Sequence, residues 1–287
     1  MKREPLLARA LSADAPTASA LRLAAQSWCA LGRAAVVVEV ADTRGSVPRK
    51  SGARMLVGAH DVLGTIGGGH LEWRAIAQAR QMLSSGTREA GTQHVALGPT
   101  LGQCCGGTLT LRFAPLDAHA LERWPAPAPR FHLQLYGAGH VGRAIAALLA
   151  EIDCRVQWID EREDAFPAEA SPAHIERVCV EPVEAEVDRA PANAHFLVLT
   201  HRHDVDLRIT EAILRRGDFA WCGLIGSQSK RARFVHRFEQ RGVPAQAIAR
   251  LTCPIGLPGV AGKAPIEIAI AVLAQLLSIT LPVDESE

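Results

Sequence analysis

An apolar run, Leu133–Tyr136, leads into Gly137–Ala138–Gly139–His140–Val141–Gly142, and a helical apolar pattern follows over Val141–Ala150. A strand, a glycine turn and a helix in that order leave few folds open. Gly137 permits the tight turn, Gly139 lets a ligand approach the backbone, and Gly142 lets helix and strand pack closely. The amides freed at the helix start, with its partial positive charge, suit a phosphate, so His140 joins Gly137, Gly139 and Gly142 as a binding candidate. About 20 residues on, where this fingerprint expects an acid for a ribose hydroxyl, the strand Arg155–Ile159 ends in Asp160. A carboxylate there favours NAD over NADP, because a 2′-phosphate would meet like charge.

The pattern around this motif extends it into a fold. Strands are expected at Ile175–Val180, His195–Thr200 and Phe219–Ile225, and helices at Val205–Arg216, Ser229–Arg241 and Pro265–Leu277. Strand–helix alternation of this kind implies a parallel sheet covered on both faces, a Rossmann-type doubly wound domain. Upstream the order differs. A helix near Leu21–Leu31 precedes strands at Ala35–Val40, Arg54–Val57 and Val62–Ile66, a helix at His70–Ser84, and strands at Thr92–Leu97 and Thr108–Phe113. Between the two regions lies Trp124–Pro125–Ala126–Pro127–Ala128–Pro129, whose prolines forbid a helix interior and favour an extended spacer. The fold class is therefore α/β: an N-terminal α+β domain (21–116) after a flexible start (1–20), a Pro-rich linker (117–130), and a C-terminal Rossmann-type doubly wound parallel sheet (131–287).

Composition narrows the function classes. A formal net charge of +1 over 287 residues provides no global field for nucleic acid or a membrane surface. The N-terminus has no apolar core followed by a small-residue cleavage site, so no signal peptide is expected. Seven cysteines, an odd number, read as reduced thiols in a cytoplasmic protein rather than a disulfide framework.

Several loops have candidate chemistry. Thr65–Ile66–Gly67–Gly68–Gly69–His70 is a strand–glycine–helix turn, so Gly67, Gly68 and Gly69 are candidates for a phosphate or a close backbone. Gly102–Gln103–Cys104–Cys105–Gly106–Gly107 places adjacent thiols among glycines. A thiol near backbone amides can have a lowered pKa and serve as a nucleophile or soft-metal ligand; inward packing of one thiol explains the pair equally well. In the second domain, strand ends are where ligands bind. His201–Arg202–His203–Asp204 follows one strand end, and Gly226–Ser227–Gln228–Ser229–Lys230 follows another. Ser227 and Lys230 make an anion seat or, for Ser227, a plain helix cap. His201 and His203 fall short of a metal ligand count, so phosphate or pterin contact and a loop role remain for them.

The stretches GSVPRKSGARMLV, GTIGGGHLE, LGPTLGQCCGG, LYGAGHVGRA, THRHDVDL, GLIGSQSKRARF and CPIGLPGVAGKAPIEIA run in order from Gly45 to Leu277. In them the chain resembles the XdhC-type family, the xanthine dehydrogenase accessory proteins related to CoxI-type maturation factors. The resemblance implies a molybdenum cofactor (Mo-molybdopterin) chaperone rather than a catalyst. Such a protein protects the cofactor, presents it to a cysteine desulfurase for exchange of an oxo ligand for sulfido, and delivers it to the molybdenum subunit of xanthine dehydrogenase. It also implies self-association into a homo-oligomer, most simply a dimer. Soft molybdenum–sulfur chemistry suits Cys104 or Cys105. Two alternatives stand beside it: an NAD-linked oxidoreductase using Gly137–Gly142 and Asp160, and a thiol-based sulfur-transfer enzyme.

Overall fold

A computed structural model describes residues 17–98, 106–260 and 262–280 of the chain. Contacts divide it into two compact units, Met1–Pro127 and Ala128–Glu287.

The first unit begins with α1 (Ala18–Ala30), started by the Thr17 hydroxyl, which accepts from the Ala20 amide at 3.1 Å. Residues 18–20, expected in the flexible start, therefore belong to a capped helix; the rest of that segment, through residue 16, lies outside the described residues. Then follow β1 (Ala35–Arg44), β2 (Arg54–Gly58), β3 (Val62–Gly64), α2 (Gly69–Ser85), β4 (Gly91–Ala96), β5 (Thr108–Pro115) and α3 (Ala118–Glu122). The strands form one antiparallel sheet in the order β3-β2-β1-β5-β4. Period-2 alternation sends side chains to both faces. Val36, Val38, Val40, Met55 and Val57 meet Leu71, Ala75 and Ala79 of α2 on one face. Ala35, Val37 and Leu56 meet Leu21, Ala25 and Trp28 of α1 on the other.

The expected linker starts too early. Asp117 caps α3 through its side chain, which accepts from Ala120 N at 2.7 Å. Trp124 is 3% exposed and packs in the α1 cluster. Its carbonyl accepts from Arg22 Nε at 2.7 Å, and the Arg54 guanidinium lies over its ring. The prolines alone hid this, because an indole of this size is anchored by burial whatever the chain after it does.

The second unit comprises β6 (His132–Tyr136), α4 (His140–Leu149), β7 (Arg155–Asp160), β8 (Ile175–Cys179), β9 (His195–Val198), α5 (His203–Arg216), β10 (Trp221–Leu224), α6 (Gln228–Gln240), α7 (Ala245–Ala249), β11 (Leu251–Thr252) and α8 (Pro265–Thr280). Its sheet runs β8-β7-β6-β9-β10-β11 with every neighbouring pair parallel. The order turns back between β6 and β9, which opens a crevice at their carboxyl ends. Leu133, Leu135, Val156 and Trp158 face α4 and α8. Tyr136, Ile159, Phe196 and Val198 face α5 and α6. This is the Rossmann-type sheet that the alternation predicts. The short α7 and β11 carry too little apolar periodicity to be read from the sequence.

Trp124→Ala is expected to cost about 3–5 kcal/mol, the usual loss for a buried Trp, in urea denaturation followed by circular dichroism. A change near zero would return residues 117–124 to the role of a spacer.

Candidate functional site

The glycine turn is built as the fingerprint requires, each glycine for a different reason. Gly137 has φ +115°, and a Cβ there would lie 2.5 Å from the Leu199 carbonyl oxygen. A Cβ on Gly142 would lie 2.0 Å from the Gly137 oxygen. Both are demanded by the protein itself. Gly139 is not: its φ is −71° and a Cβ there would meet nothing within 4 Å. It caps α4, whose start has no side-chain cap. Gly139 and His140 are exposed. Amides without an internal acceptor at a helix start, beside open space, form an anion seat.

Three side chains hold the turn in place. Trp158 Nε1 donates to Gly137 O at 3.0 Å, and Arg143 Nε donates to Ala138 O at 3.1 Å and to Ala165 O at 2.8 Å. Asp160 Oδ2 accepts from Ala138 N at 2.7 Å. The Asp160 carboxylate also accepts from Arg162 N and Nε on Oδ1, both at 3.0 Å, and from Arg162 Nη2 on Oδ2 at 3.1 Å. A carboxylate offers about four lone-pair sites, and here all four have donors. Burial opposes ionisation of Asp160, but the Arg162 guanidinium and the two amides outweigh it and hold the carboxyl below its ordinary value. Asp160, expected to face a ribose hydroxyl, instead locks the turn, and its side chain is 4% exposed. Arg162, two residues on, was the legible sign of this.

The next two strand ends are tied to each other. Asp206 of α5 is fully buried and accepts from Thr200 N at 3.0 Å and the Thr200 hydroxyl at 2.7 Å on Oδ1. Its Oδ2 accepts from Lys230 Nζ at 2.6 Å, and Lys230 also donates to Ile225 O at 2.8 Å. Lys230, expected to face an anion, is 5% exposed and already paired. Ser227 Oγ accepts from Lys230 N at 3.2 Å, the plain cap of α6. His203 opens α5 and is exposed, and His201 is exposed with Nε2 3.9 Å from Glu161. Asp206 escaped sequence reading, although an acid in the first turns of a helix is a recognisable signal.

In the first unit the glycine turn is partly engaged by side chains of the same chain. Glu72 Oε2 accepts from Ile66 N at 3.0 Å, from Gly68 N at 3.1 Å and from the Thr65 hydroxyl. Of the amides read as a phosphate site at Gly67, Gly68 and Gly69, that of Gly68 thus serves a carboxylate of the same chain, which also suits the positive end of α2, and that of Gly67 donates to the Thr65 hydroxyl at 3.1 Å. A Cβ on Gly67 would lie 2.5 Å from Pro48. Gln103, Cys104 and Cys105 lie outside the described residues. Among the described thiols, burial pushes Cys154 and Cys222 up to about 12 and raises Cys253, which makes them core groups rather than nucleophiles. Among the described residues no group of three or more His, Cys, Asp or Glu could hold a metal ion, and no helix is long and apolar enough to cross a membrane.

The fold is that of a Rossmann-type domain with a separate antiparallel N-terminal unit. Residues 133–276 match the XdhC Rossmann domain, and residues 28–95 match the XdhC and CoxI family; the chain belongs to that family. It is 31% identical over 248 residues to the uncharacterized protein YqeB of Escherichia coli K12, covering 85% of this chain and 43% of that protein. The chain thus spans less than half the length of that relative. Its fold is shared with a crystal structure described as a xanthine dehydrogenase from Bacillus halodurans, at TM-score 0.72 and 18% identity over 92% of this chain and 97% of that one.

Gly142→Ala is expected to destabilise the second unit by about 3 kcal/mol through overpacking against Gly137, whereas Gly139→Ala leaves thermal unfolding within about 0.5 kcal/mol of wild type. Equal losses in calorimetry would remove the distinction between the two. Lys230→Met leaves Asp206 buried without its counter-charge and is expected to cost about 3–5 kcal/mol in urea denaturation; a loss under about 1 kcal/mol would show that Asp206 finds other compensation.

Proposed function

We propose that this protein is an accessory factor in maturation of a molybdenum hydroxylase of the xanthine dehydrogenase type. It takes up Mo-molybdopterin, shields it, presents it to a cysteine desulfurase for sulfuration, and passes it to the molybdenum subunit of the target enzyme. It acts in the cytoplasm, as a homo-oligomer. Family membership is the general support for this reading.

The observation that carries it is the start of α4. At α2 no side chain caps the helix, but Glu72 takes the Ile66 and Gly68 amides beside its start, and at α6 the cap is Ser227. At α4 no side chain caps the helix, and the space above Gly139 is open. A phosphate monoester, such as molybdopterin carries, suits that seat. The proposal gives the molybdenum side to Cys104 and Cys105, whose thiols suit a soft metal. The full engagement of Asp160 supports a carrier over an NAD-linked oxidoreductase, because the carboxylate that would read the ribose is occupied.

The test is to mix the purified full chain with freshly released molybdenum cofactor, desalt it, and measure retained molybdenum together with the fluorescent oxidised pterin. Near-equal retention is expected. Gly139→Ala, which puts a methyl into the seat, is expected to weaken retention by about tenfold, about 1.4 kcal/mol. Cys104→Ser with Cys105→Ser is expected to lower molybdenum retention. NADH binding with turnover and no retained pterin would overturn the carrier reading, and a persulfide on either cysteine that survives cofactor removal would favour the sulfur-transfer enzyme.

A further inference from the structure

Among the described residues, β3 and β4 are the edge strands of the first sheet, and β8 and β11 those of the second. An edge strand presents unpaired N–H and C=O groups, and proteins blunt such edges with short strands, charges, prolines or bulges. β3 has three residues, β11 has two, and β8 carries Glu176 and Arg177. β4 has none of these devices. Gly91–Thr92–Gln93–His94–Val95–Ala96 contains no Lys, Arg, Asp, Glu or Pro and pairs with β5 in unbroken register. Gly91, Thr92, His94 and Ala96 are exposed.

The ladder fixes which groups point outward. Leu97 N donates to Gly107 O at 2.8 Å on the β4 side of β5, and Leu116 N donates to Ala35 O at 2.8 Å on its β1 side. Hydrogen-bonding direction alternates along an antiparallel strand. Gln93 and Val95 therefore direct N–H and C=O at β5, and Thr92, His94 and Ala96 turn theirs away from it. Side chains alternate with the same period. Val95 packs with Met82 and Leu83 against the cluster under α2, and His94 lies on the opposite face with Nδ1 2.9 Å from the Thr110 hydroxyl.

These two alternations select a partner. Opposed residues of an antiparallel pair share a face, and those that exchange hydrogen bonds both turn outward. A second copy's β4, related by a two-fold axis at His94, meets both conditions. His94 then faces His94 of the second copy, Thr92 faces Ala96 of the second copy, and every outward N–H and C=O of both strands is paired. Centring the axis on Gln93 leaves Ala96 without a strand partner, and centring it on Val95 does the same to Thr92. On the α2 side, half-buried Val95 of each copy comes against half-buried Gln93 of the other, and neither strand brings a Lys, Arg, Asp or Glu to oppose its like. We infer that β4 is a homodimer seam, across which two first units join into one continuous antiparallel sheet about a two-fold axis at His94. The inference deepens the proposed function, resting on its homo-oligomer and not on its cargo.

The experiment is sedimentation velocity of the full chain over a concentration series, where a dimer is expected. Proline is tolerated on an edge whose N–H faces solvent, so His94→Pro removes the central pair of bonds and keeps the pairing with β5. It is expected to weaken dimerisation at least about tenfold with a circular dichroism melt like that of wild type. A second variant leaves the ladder whole. Opposed hydrogen-bonded residues have Cα atoms about 5.5 Å apart, within disulfide reach, so His94→Cys oxidised with diamide is expected to give a 94–94 link, identified by peptide mass spectrometry. Thr92→Cys is expected to give no 92–92 link, because those positions lie about 13 Å apart along the strands. A monomer at every concentration, a dimer indifferent to His94→Pro, or 92–92 linking as efficient as 94–94 overturns the inference. So does loss of the dimer in Ile266→Asp with Ile270→Asp, on the exposed side of α8, while His94→Pro still dimerises. A monomer that retains molybdenum cofactor removes the seam and leaves the carrier reading standing; a His94-linked dimer that retains none supports the seam and removes the carrier.

Discussion

Asp160 sits under the glycine turn and accepts from Ala138 N while Arg162 clamps both its oxygens. The turn is a backbone reversal between a buried strand and a helix, and Gly142 leaves its first helical turn only bare backbone against Gly137. A segment with so few side chains has little apolar surface to hold it, so its position depends on polar contacts. Asp160, Trp158 and Arg143 supply these from three directions. The free amides of α4 then point where β6 and β9 part, because the turn cannot relax away from that crevice. The carboxylate that holds the turn is also withdrawn from ligand recognition, and this one arrangement decides which residues remain for binding.

The same logic separates the helix starts. Every helix leaves amides without intrahelical acceptors. In α6 they meet Ser227 and in α1 Thr17, whereas α2 and α5 have no side-chain cap and Glu72 takes the amides just before α2. The loop before α5 is held by Asp206 through Thr200. The Ser227 and Thr17 caps are self-contained solutions, each stabilising by roughly 0.5–2 kcal/mol. The α4 start lacks one. A glycine-rich helix entry on its own therefore says little about ligands; what matters is whether the chain provides its own acceptor.

That distinction explains how much was legible. The parallel sheet and most element positions follow from alternating apolar runs, and Gly137, Gly139 and Gly142 follow from spacing. Spacing could not say whether an amide or a charge was already occupied. Lys230 and Asp160 have the residue types of an anion seat and a ribose acceptor, yet each finds a partner, one 24 residues away in sequence and one two residues away. Glu72 and Asp206 find their partners only in the fold, Glu72 at the Ile66 and Gly68 amides and Asp206 at Thr200 and Lys230. Trp124 was hidden by its proline neighbours because its anchor, α1, lies about a hundred residues upstream. Local pattern determines elements, whereas long-range pairing determines which polar groups are left free.

The buried Lys230–Asp206 pair bears on how such a crevice could carry and release a cargo. Desolvating two charges costs several kcal/mol per ion, and their mutual attraction repays this only with good geometry and further hydrogen bonds. Here Thr200 and the Ile225 carbonyl provide those bonds. The pair thus contributes modest net stability and fixes two strand-end loops relative to each other. A preformed site binds without the ordering cost of mobile loops. The proposed carrier would therefore hold its ligand through a few contacts, an amide cluster for a phosphate among them, without enclosing it. For the proposed carrier that is the useful regime: affinity sufficient to shield a labile cargo, with the rest of the cargo's surface left for the receiving enzyme to grip.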